Sequence, residues 1–384
     1  MLKREITADI DKYLESDDYK TFYIWGPRRS GKTTILKQLS KELNVPVFNF
    51  DYESDRAKFV PDKNVLEKLV KDFKVILIDE VQNYPESTVV LKLLHDEFKI
   101  KVIATGSSEL KQKGNDFDTQ AGRYTEHYCL PLSISEIKSN TKLLTSEEIE
   151  FEKELSEKLQ IFGSYPEIYT LGTSDDAEKI ENLNTILDAY VLKDIVNIYE
   201  LKNLKLAKEI LTKIALQLGS EVSIREIAQS TGSNAVTVSN YIEIFVKNYI
   251  LIPLPSFKTN IRRAVSDNRK LYFYDLGIRN ALVKDFRETK LRPDSGGLFE
   301  NFIVLEIEKL RRNKKILASF YFYREYGGKE VDLIIEDYKK NYTAVEIKSN
   351  LGLIKNIFPL KHKSEIINSK NYFGKLESVL NSFR

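Results

Sequence analysis

Lys32 and Thr33 follow Gly31, which lies five residues beyond Gly26, and the resulting GPRRSGKT stretch fits the pattern G-x-x-x-x-G-K-[ST]. The chemistry behind that spacing is phosphate binding. Glycines let the backbone turn its N–H groups and a helix N-terminus toward phosphate oxygens, the lysine reaches the β/γ-phosphates, and the hydroxyl ligates Mg²⁺. Gly26, Pro27, Arg28, Arg29, Ser30, Gly31, Lys32, Thr33 and Thr34 are therefore expected to cradle ATP, with Thr33 on the metal. A plain glycine turn capping a helix leaves the Lys-Thr pair unexplained.

A second group of residues suits hydrolysis. The apolar run from Val75 to Ile78 ends in Asp79 and Glu80. At a strand end, the aspartate can hold Mg²⁺ through water and the glutamate can polarise the attacking water. A later apolar run, Ile100 to Ala104, ends in Thr105-Gly106-Ser107-Ser108. A small polar side chain here, with Ser107 as the candidate, could read a γ-phosphate or orient the water, unless the segment is a simple turn. Arg123, after Gly122, can supply charge to the transition state in its own site or in that of a neighbouring copy, which would make the protein a homo-oligomer. Pairing with an acidic residue explains it equally well.

A third group lies near the carboxyl end. Residues 330–335 and 342–348 read as two strands joined by the turn EDYKKN, and a register centred near Lys339 sets Asp332 opposite Glu346. Opposed residues project from one face, which Lys348 shares. Two facing carboxylates repel unless a cation sits between them. With a lysine beside them they form a set suited to Mg²⁺-dependent phosphodiester cleavage, the metal on Asp332 and Glu346 and Lys348 orienting or stabilising. The alternative is a set of merely solvated charges.

The elements needed to position the first two groups are legible. Leu2 to Leu14 reads as a lead-in helix. Strands are expected at Phe22 to Trp25, Val45 to Phe50, Val75 to Ile78 and Ile100 to Ala104, with helices at Asn64 to Phe73 and Ser87 to Phe98, and a further extended stretch at Tyr124 to Leu130. Such alternation means right-handed β-α-β crossovers and an α/β fold with a parallel sheet, helices on both faces, and its ligand site at the carboxyl ends of the strands.

Residues 146–218 are helical in pattern and carry no catalytic constellation. A helix from Ile224 to Ser230, a turn at Gly232, a second helix capped by Ser233 and a strand from Ile250 follow the winged helix-turn-helix order. Asn234, Thr237, Ser239 and Asn240 would meet base edges if that second helix enters a groove, and Lys258, Arg262 and Arg263 follow the wing. A lid or protein-binding role is the competing reading, because the second helix carries few cations.

Composition bounds the rest. At 384 residues the chain suggests two or three domains, and 42% hydrophobic with 30% charged residues describes a soluble globular protein lacking any apolar run of membrane-spanning length. The charged N-terminal stretch lacks the apolar core of a secretory signal, and the single cysteine, Cys129, excludes an internal disulfide, so the cytoplasm is expected. Net charge is +2, yet residues 251–384 hold 26 Lys/Arg against 16 Asp/Glu. That third of the chain is the candidate face for a polyanion such as DNA, and a merely soluble basic surface explains the excess equally well.

GPRRSGKTT, LIDEVQ, TGSS, GR before LPLSISE, FGSYPE, YVLKDI, LYFYDLGIRNAL, GLFENFIVLEI and EVDLII with AVEIKS together resemble a bacterial and archaeal family of AAA+-like ATPases with a restriction-endonuclease-like carboxyl-terminal domain. The resemblance spans nearly the whole chain. It implies a P-loop NTPase core over residues 1–140, a helical and winged-helix segment over 141–260, and an α/β restriction-endonuclease-like domain over 261–384. Glu300, within GLFENFIVLEI, matches that family's helical acidic residue and would join Asp332 and Glu346 on a metal. The function expected is ATP hydrolysis controlling DNA binding or processing. The alternative is a nucleotide-dependent switch with slow turnover, an inactive nuclease-like domain and a protein partner.

Overall fold

The computed structural model describes residues 2–107, 122–142, 144–172, 175–193, 203–258, 269–325, 328–349 and 357–381. They form two compact units, Met1–Leu132 and Ser133–Arg384.

In the first unit, β1 (Thr21–Trp25), β2 (Val47–Asn49), β3 (Val75–Asp79), β4 (Lys101–Gly106) and β5 (Tyr124–Tyr128) form one sheet in the order β2-β3-β4-β1-β5. Every pairing in it is parallel. The reason is local. Each of the first four strands is a short apolar run, β1 is buried along its whole length, and the helices Lys32–Leu43, Lys63–Asp72 and Ser87–Leu93 intervene to return the chain. Leu36, Leu39 and Ile35 from the first of these pack with Ile6 and Ile10 of the helix Ile6–Glu15 against Phe22, Ile24, Leu77 and Ile103. The order has one consequence for chemistry. Because β4 lies between β1 and β3, the residues at its carboxyl end fall between those that end the other two strands.

Every named element of the second unit up to residue 247 is a helix, among the described residues. Its helices Leu204–Leu216, Ile224–Ser230 and Ala235–Lys247 bury Ile210, Leu211, Ile227, Val238, Ile242 and Phe245 in one core. The antiparallel pair β6 (Leu251–Pro255) and β7 (Arg269–Phe273) follows, with Glu221 bridged to Lys270. Asn234 caps the helix Ala235–Lys247 by accepting from the Thr237 amide at 2.8 Å, so the cap lies one residue after the Ser233 expected from sequence. The long helix Ser295–Asn313 then packs along β7 and a four-stranded sheet of order β11-β10-β9-β8. Those strands are β8 (Ala318–Arg324), β9 (Glu330–Asp337), β10 (Tyr342–Lys348) and β11 (His362–Asn368). The pairings β8/β9 and β9/β10 are antiparallel, and β10/β11 is parallel. No helix among the described residues is long and apolar enough to cross a membrane.

Candidate functional site

The loop Gly26 to Gly31 leaves the end of β1 and enters the helix Lys32–Leu43. Gly26 is indispensable for a steric reason: a Cβ there would stand 2.0 Å from the Cys129 carbonyl oxygen, a backbone atom held by the Cys129 N–H bond to Trp25 O at 2.7 Å. Gly31, the N-cap, has φ 104°, and no side chain caps that helix. Its first amides are thus left to another acceptor. Arg4 braces the loop from below, donating through Nη1 to Ser30 O and through Nη2 to Leu130 O, both at 2.6 Å. Ser30 Oγ donates to Pro27 O at 2.8 Å. Lys32, buried, spans the loop and donates to Gly26 O and Pro27 O at 2.8 Å each. Burial draws its ammonium below the ordinary value, and Glu80, Cys129 and Asp79 oppose that. Arg28 is half-buried, whereas Arg29 (φ 64°), Thr33 and Thr34 are exposed.

Asp79 and Glu80 end β3 beside this loop. Thr33 Oγ1 donates to Asp79 Oδ2 at 2.8 Å, and the buried Thr105 hydroxyl bonds Oδ1 of the same carboxylate. Thr33 and Asp79 thereby present two hard oxygen donors together, which is the donor set Mg²⁺ prefers. Glu80 has φ 53°, in the left-handed region that few non-glycine residues adopt. Its carboxylate meets the Gln82 amide and, at 3.4 Å, the Ser107 hydroxyl, while Gln82 Nε2 donates to Ser107 Oγ at 3.1 Å. The structure therefore brings Lys32, Thr33, Asp79, Glu80 and Ser107 to one end of the sheet. Arg4, Thr105 and Gln82 were not read from the sequence. Ser108 lies outside the described residues.

Arg123 is elsewhere. It precedes β5, whose Tyr124 pairs with Thr21 at the start of β1, four residues before the strand end that feeds the loop. Its Nε bonds Asp96 Oδ1 at 2.7 Å, and this pairing holds the Asp96 carboxyl below its usual range. An action of Arg123 on the nucleotide of its own chain does not follow from that position.

In the second unit, β9 and β10 pair Glu336 with Tyr342 and Leu333 with Val345, and one further step of that register sets Asp332 opposite Glu346. Lys348 Nζ bridges the two, 2.7 Å from Asp332 Oδ2 and 3.0 Å from Glu346 Oε2, and the Ile347 amide donates to Asp332 Oδ2 at 2.7 Å. Burial works against the Lys348 ammonium, but Asp332 and Glu346 outweigh it and raise its pKa. Glu300 groups with Glu330 and Asp332. One oxygen from each of Glu300, Glu330 and Asp332 lies within 4.8 Å of the others. Lys270, 1% exposed, contacts both Glu300, at 2.9 Å, and Glu330. The Tyr272 hydroxyl donates to Glu300 at 2.5 Å. Burial raises the Glu300 pKa, with Lys270 opposing and Asp332 adding to the rise. Three carboxylates this close suit a hard divalent ion, and the structure draws the third from Glu330. Glu330 is readable in principle, since it precedes Asp332 by two on the same strand face. Lys270, some 60 residues away, leaves no such signal.

The helix Ala235–Lys247 exposes Ala235, Val236 and Asn240, while Glu243 on it is paired with Arg269 at 2.7 Å. Lys258 follows β6, and Arg262 and Arg263 lie outside the described residues.

Residues 18–138 match the family described as AAA domain. Over these residues the chain is similar to AAA-type P-loop ATPase domains. Residues 153–289 and 295–362 match two families described as domains of unknown function, DUF8612 and DUF4143. An uncharacterized protein of Methanocaldococcus jannaschii, MJ1544, is 28% identical over 86% of this chain and 75% of its own length. An uncharacterized protein of Haemophilus influenzae is 24% identical over 97% of this chain and 94% of its own. Among solved structures, the Thermotoga maritima RuvB Holliday junction branch migration motor aligns with 66% of this chain and 90% of its own at TM-score 0.33 and 15% identity.

Within the AAA domain, the loop amides and Lys32 are the groups that would hold the phosphates, and Thr33 and Asp79 those that would hold Mg²⁺. A metal held there would supply charge neutralisation on the phosphate oxygens. What the chain itself adds is a carboxylate, Glu80, that accepts from the Gln82 amide and, at 3.4 Å, from the Ser107 hydroxyl.

Proposed function

We propose that the protein hydrolyses ATP with Mg²⁺ in its AAA domain and uses that turnover to control DNA binding or processing by the rest of the chain. One observation carries the first part: Lys32, the Thr33–Asp79 pair and the Glu80–Ser107 pair meet at the carboxyl end of one parallel sheet. In this reading Lys32 and the loop grip the phosphates, Glu80 takes the proton of the attacking water, and Ser107 orients water or γ-phosphate. The second part is supported by the excess of 26 Lys/Arg over 16 Asp/Glu in residues 251–384, and by the helix-turn-helix order completed by β6 and β7. We read that segment as a winged helix and the sheet β8–β11 as a restriction-endonuclease-like domain whose metal ligands are drawn from Glu300, Glu330, Asp332 and Glu346, with Lys348 beside them.

One observation favours a second reading, in which the protein is a nucleotide-dependent switch with an inactive nuclease-like domain. The first two turns of the helix Ala235–Lys247 expose an uncharged face, including Val236 at 71% exposure, that suits a protein partner better than phosphates. The two readings separate in one experiment. ATP turnover by the full chain is measured with and without single- and double-stranded DNA at rising salt, in Mg²⁺ and Mn²⁺, with analysis of the DNA products. Stimulation that falls steeply with salt supports DNA control, as counterion release requires. Turnover indifferent to DNA, with no DNA binding at low salt, favours the switch.

A further inference from the structure

We infer that Gln82 is the positioning residue that aims Glu80 and ties it to Ser107, so that the glutamate acts on water only while the Gln82 amide holds it. This rests on the reading of Glu80 as the group that activates water.

Gln82 lies two residues beyond Glu80 in a single helical turn, Val81–Asn83, which begins from the left-handed backbone of Glu80. It is 5% exposed, a long polar side chain placed where core residues belong. Its Nε2 donates both to Glu80 Oε2 and, at 3.1 Å, to Ser107 Oγ, whose hydroxyl faces the same Oε2 at 3.4 Å. Amide, carboxylate and hydroxyl close a triangle with two of its corners at strand ends, Glu80 just after β3 and Ser107 just after β4. The other end of the amide is different. Oε1 is buried and has no hydrogen-bond partner among the described residues. A buried acceptor left unsatisfied opposes folding, so the amide is kept for what its NH₂ end does.

Gly106 makes the arrangement possible. A Cβ there would stand 2.3 Å from the Trp25 ring and 2.9 Å from Gln82 Oε1, so a side chain would crowd both the ring and the amide. The chemistry needs a donor at position 82. A carboxylate would repel Glu80, and an apolar side chain of the same length would leave it without its strongest partner. A carboxylate free to rotate samples many orientations, whereas one held by two donors keeps its remaining lone pairs in one direction, which is the preorganisation a general base requires.

The test is a double-mutant cycle in the full-length protein, with kcat and KM for ATP measured for wild type, Gln82→Met, Glu80→Gln and the double variant. Gln82→Met should lower kcat by about 10-fold or more and leave KM within about twofold, because general-base catalysis is lost while phosphate binding is kept. In the Glu80→Gln background the same substitution should change kcat by less than about threefold, since no base remains to be aimed. Equal losses in both backgrounds, or no loss in either, would overturn the role given to Gln82. Gln82→Asn guards against misfolding of Gln82→Met: it keeps an amide but draws it back by one methylene, and should reproduce a smaller loss that also vanishes without Glu80. If instead Glu80→Gln itself turns over like wild type, the reading of Glu80 fails, and this inference with it.

Discussion

At the scale of single residues, the site is governed by close approaches that tolerate little change. Gly26 stands against the Cys129 carbonyl, where a methyl group would sit 2.0 Å from a backbone oxygen that has nowhere to move. Gly26→Ala is therefore expected to abolish ATP binding and to lower stability by roughly 1–3 kcal/mol, the usual cost of overpacking. Isothermal titration with ATP and urea unfolding of the same variant check both parts, and ATP binding at wild-type affinity would contradict the geometry. The glycines, Lys32 and Thr33 were legible because phosphate chemistry fixes their spacing within eight residues. Arg4 was not. It reaches Ser30 and Leu130 across 26 and 126 residues of sequence, and contacts of that separation leave no local pattern to read. Thr105 and Gln82 were hidden differently: both lie inside motifs read from the sequence, but their roles depend on β4 lying between β1 and β3, which spacing alone does not specify.

At the scale of elements, the strands of the first unit were readable because each is a short apolar run between helix-forming segments. The ends shifted by a residue or more. The segment Ser87 to Phe98, read as one helix, is α-helical to Leu93 and continues as a wider turn over Leu94–Phe98. The lead-in helix begins at Ile6, leaving Arg4 ahead of it to reach the loop. The β9/β10 register was legible because the short turn between the two runs fixes which residues face each other. The second unit also contains an element whose stability depends on pH. Asp275 caps the helix Leu276–Val283, accepting from the Ile278 amide at 3.1 Å and from the Ser164 amide at 2.7 Å. Burial pushes its carboxyl up to about 6, against those amides and Lys309. The folded state thus holds this proton more tightly than the unfolded chain does. The stabilisation is complete below about pH 4 and is lost as pH rises through about 6, a change of about 3 kcal/mol for a shift of roughly two units. Asp275→Asn, which keeps one acceptor and cannot ionise, should flatten the fall in unfolding free energy between pH 4.5 and pH 7 relative to wild type. Parallel slopes for the two proteins in urea titrations would contradict the assignment.

At the scale of the whole molecule, the chain joins a first unit similar to AAA-type domains to a second unit that holds its own cluster of carboxylates and lysines, and the two differ in how fully sequence revealed them. The first site depends on a motif within one loop and two strand ends. The second depends on β7, the helix Ser295–Asn313, β9 and β10 converging, so that Lys270 and Glu330 join residues read from a single hairpin. The central claim concerns the first site, and it makes a demand on one pair of variants. ATP binding and steady-state hydrolysis are measured together for the full-length wild type, Lys32→Ala and Glu80→Gln. Lys32→Ala should lose most affinity for ATP, because the phosphates lose their buried cation. Glu80→Gln should bind ATP as wild type does and hydrolyse it about 100-fold or more slowly, the loss expected when only the general base is removed. Wild-type turnover by Glu80→Gln would contradict the account.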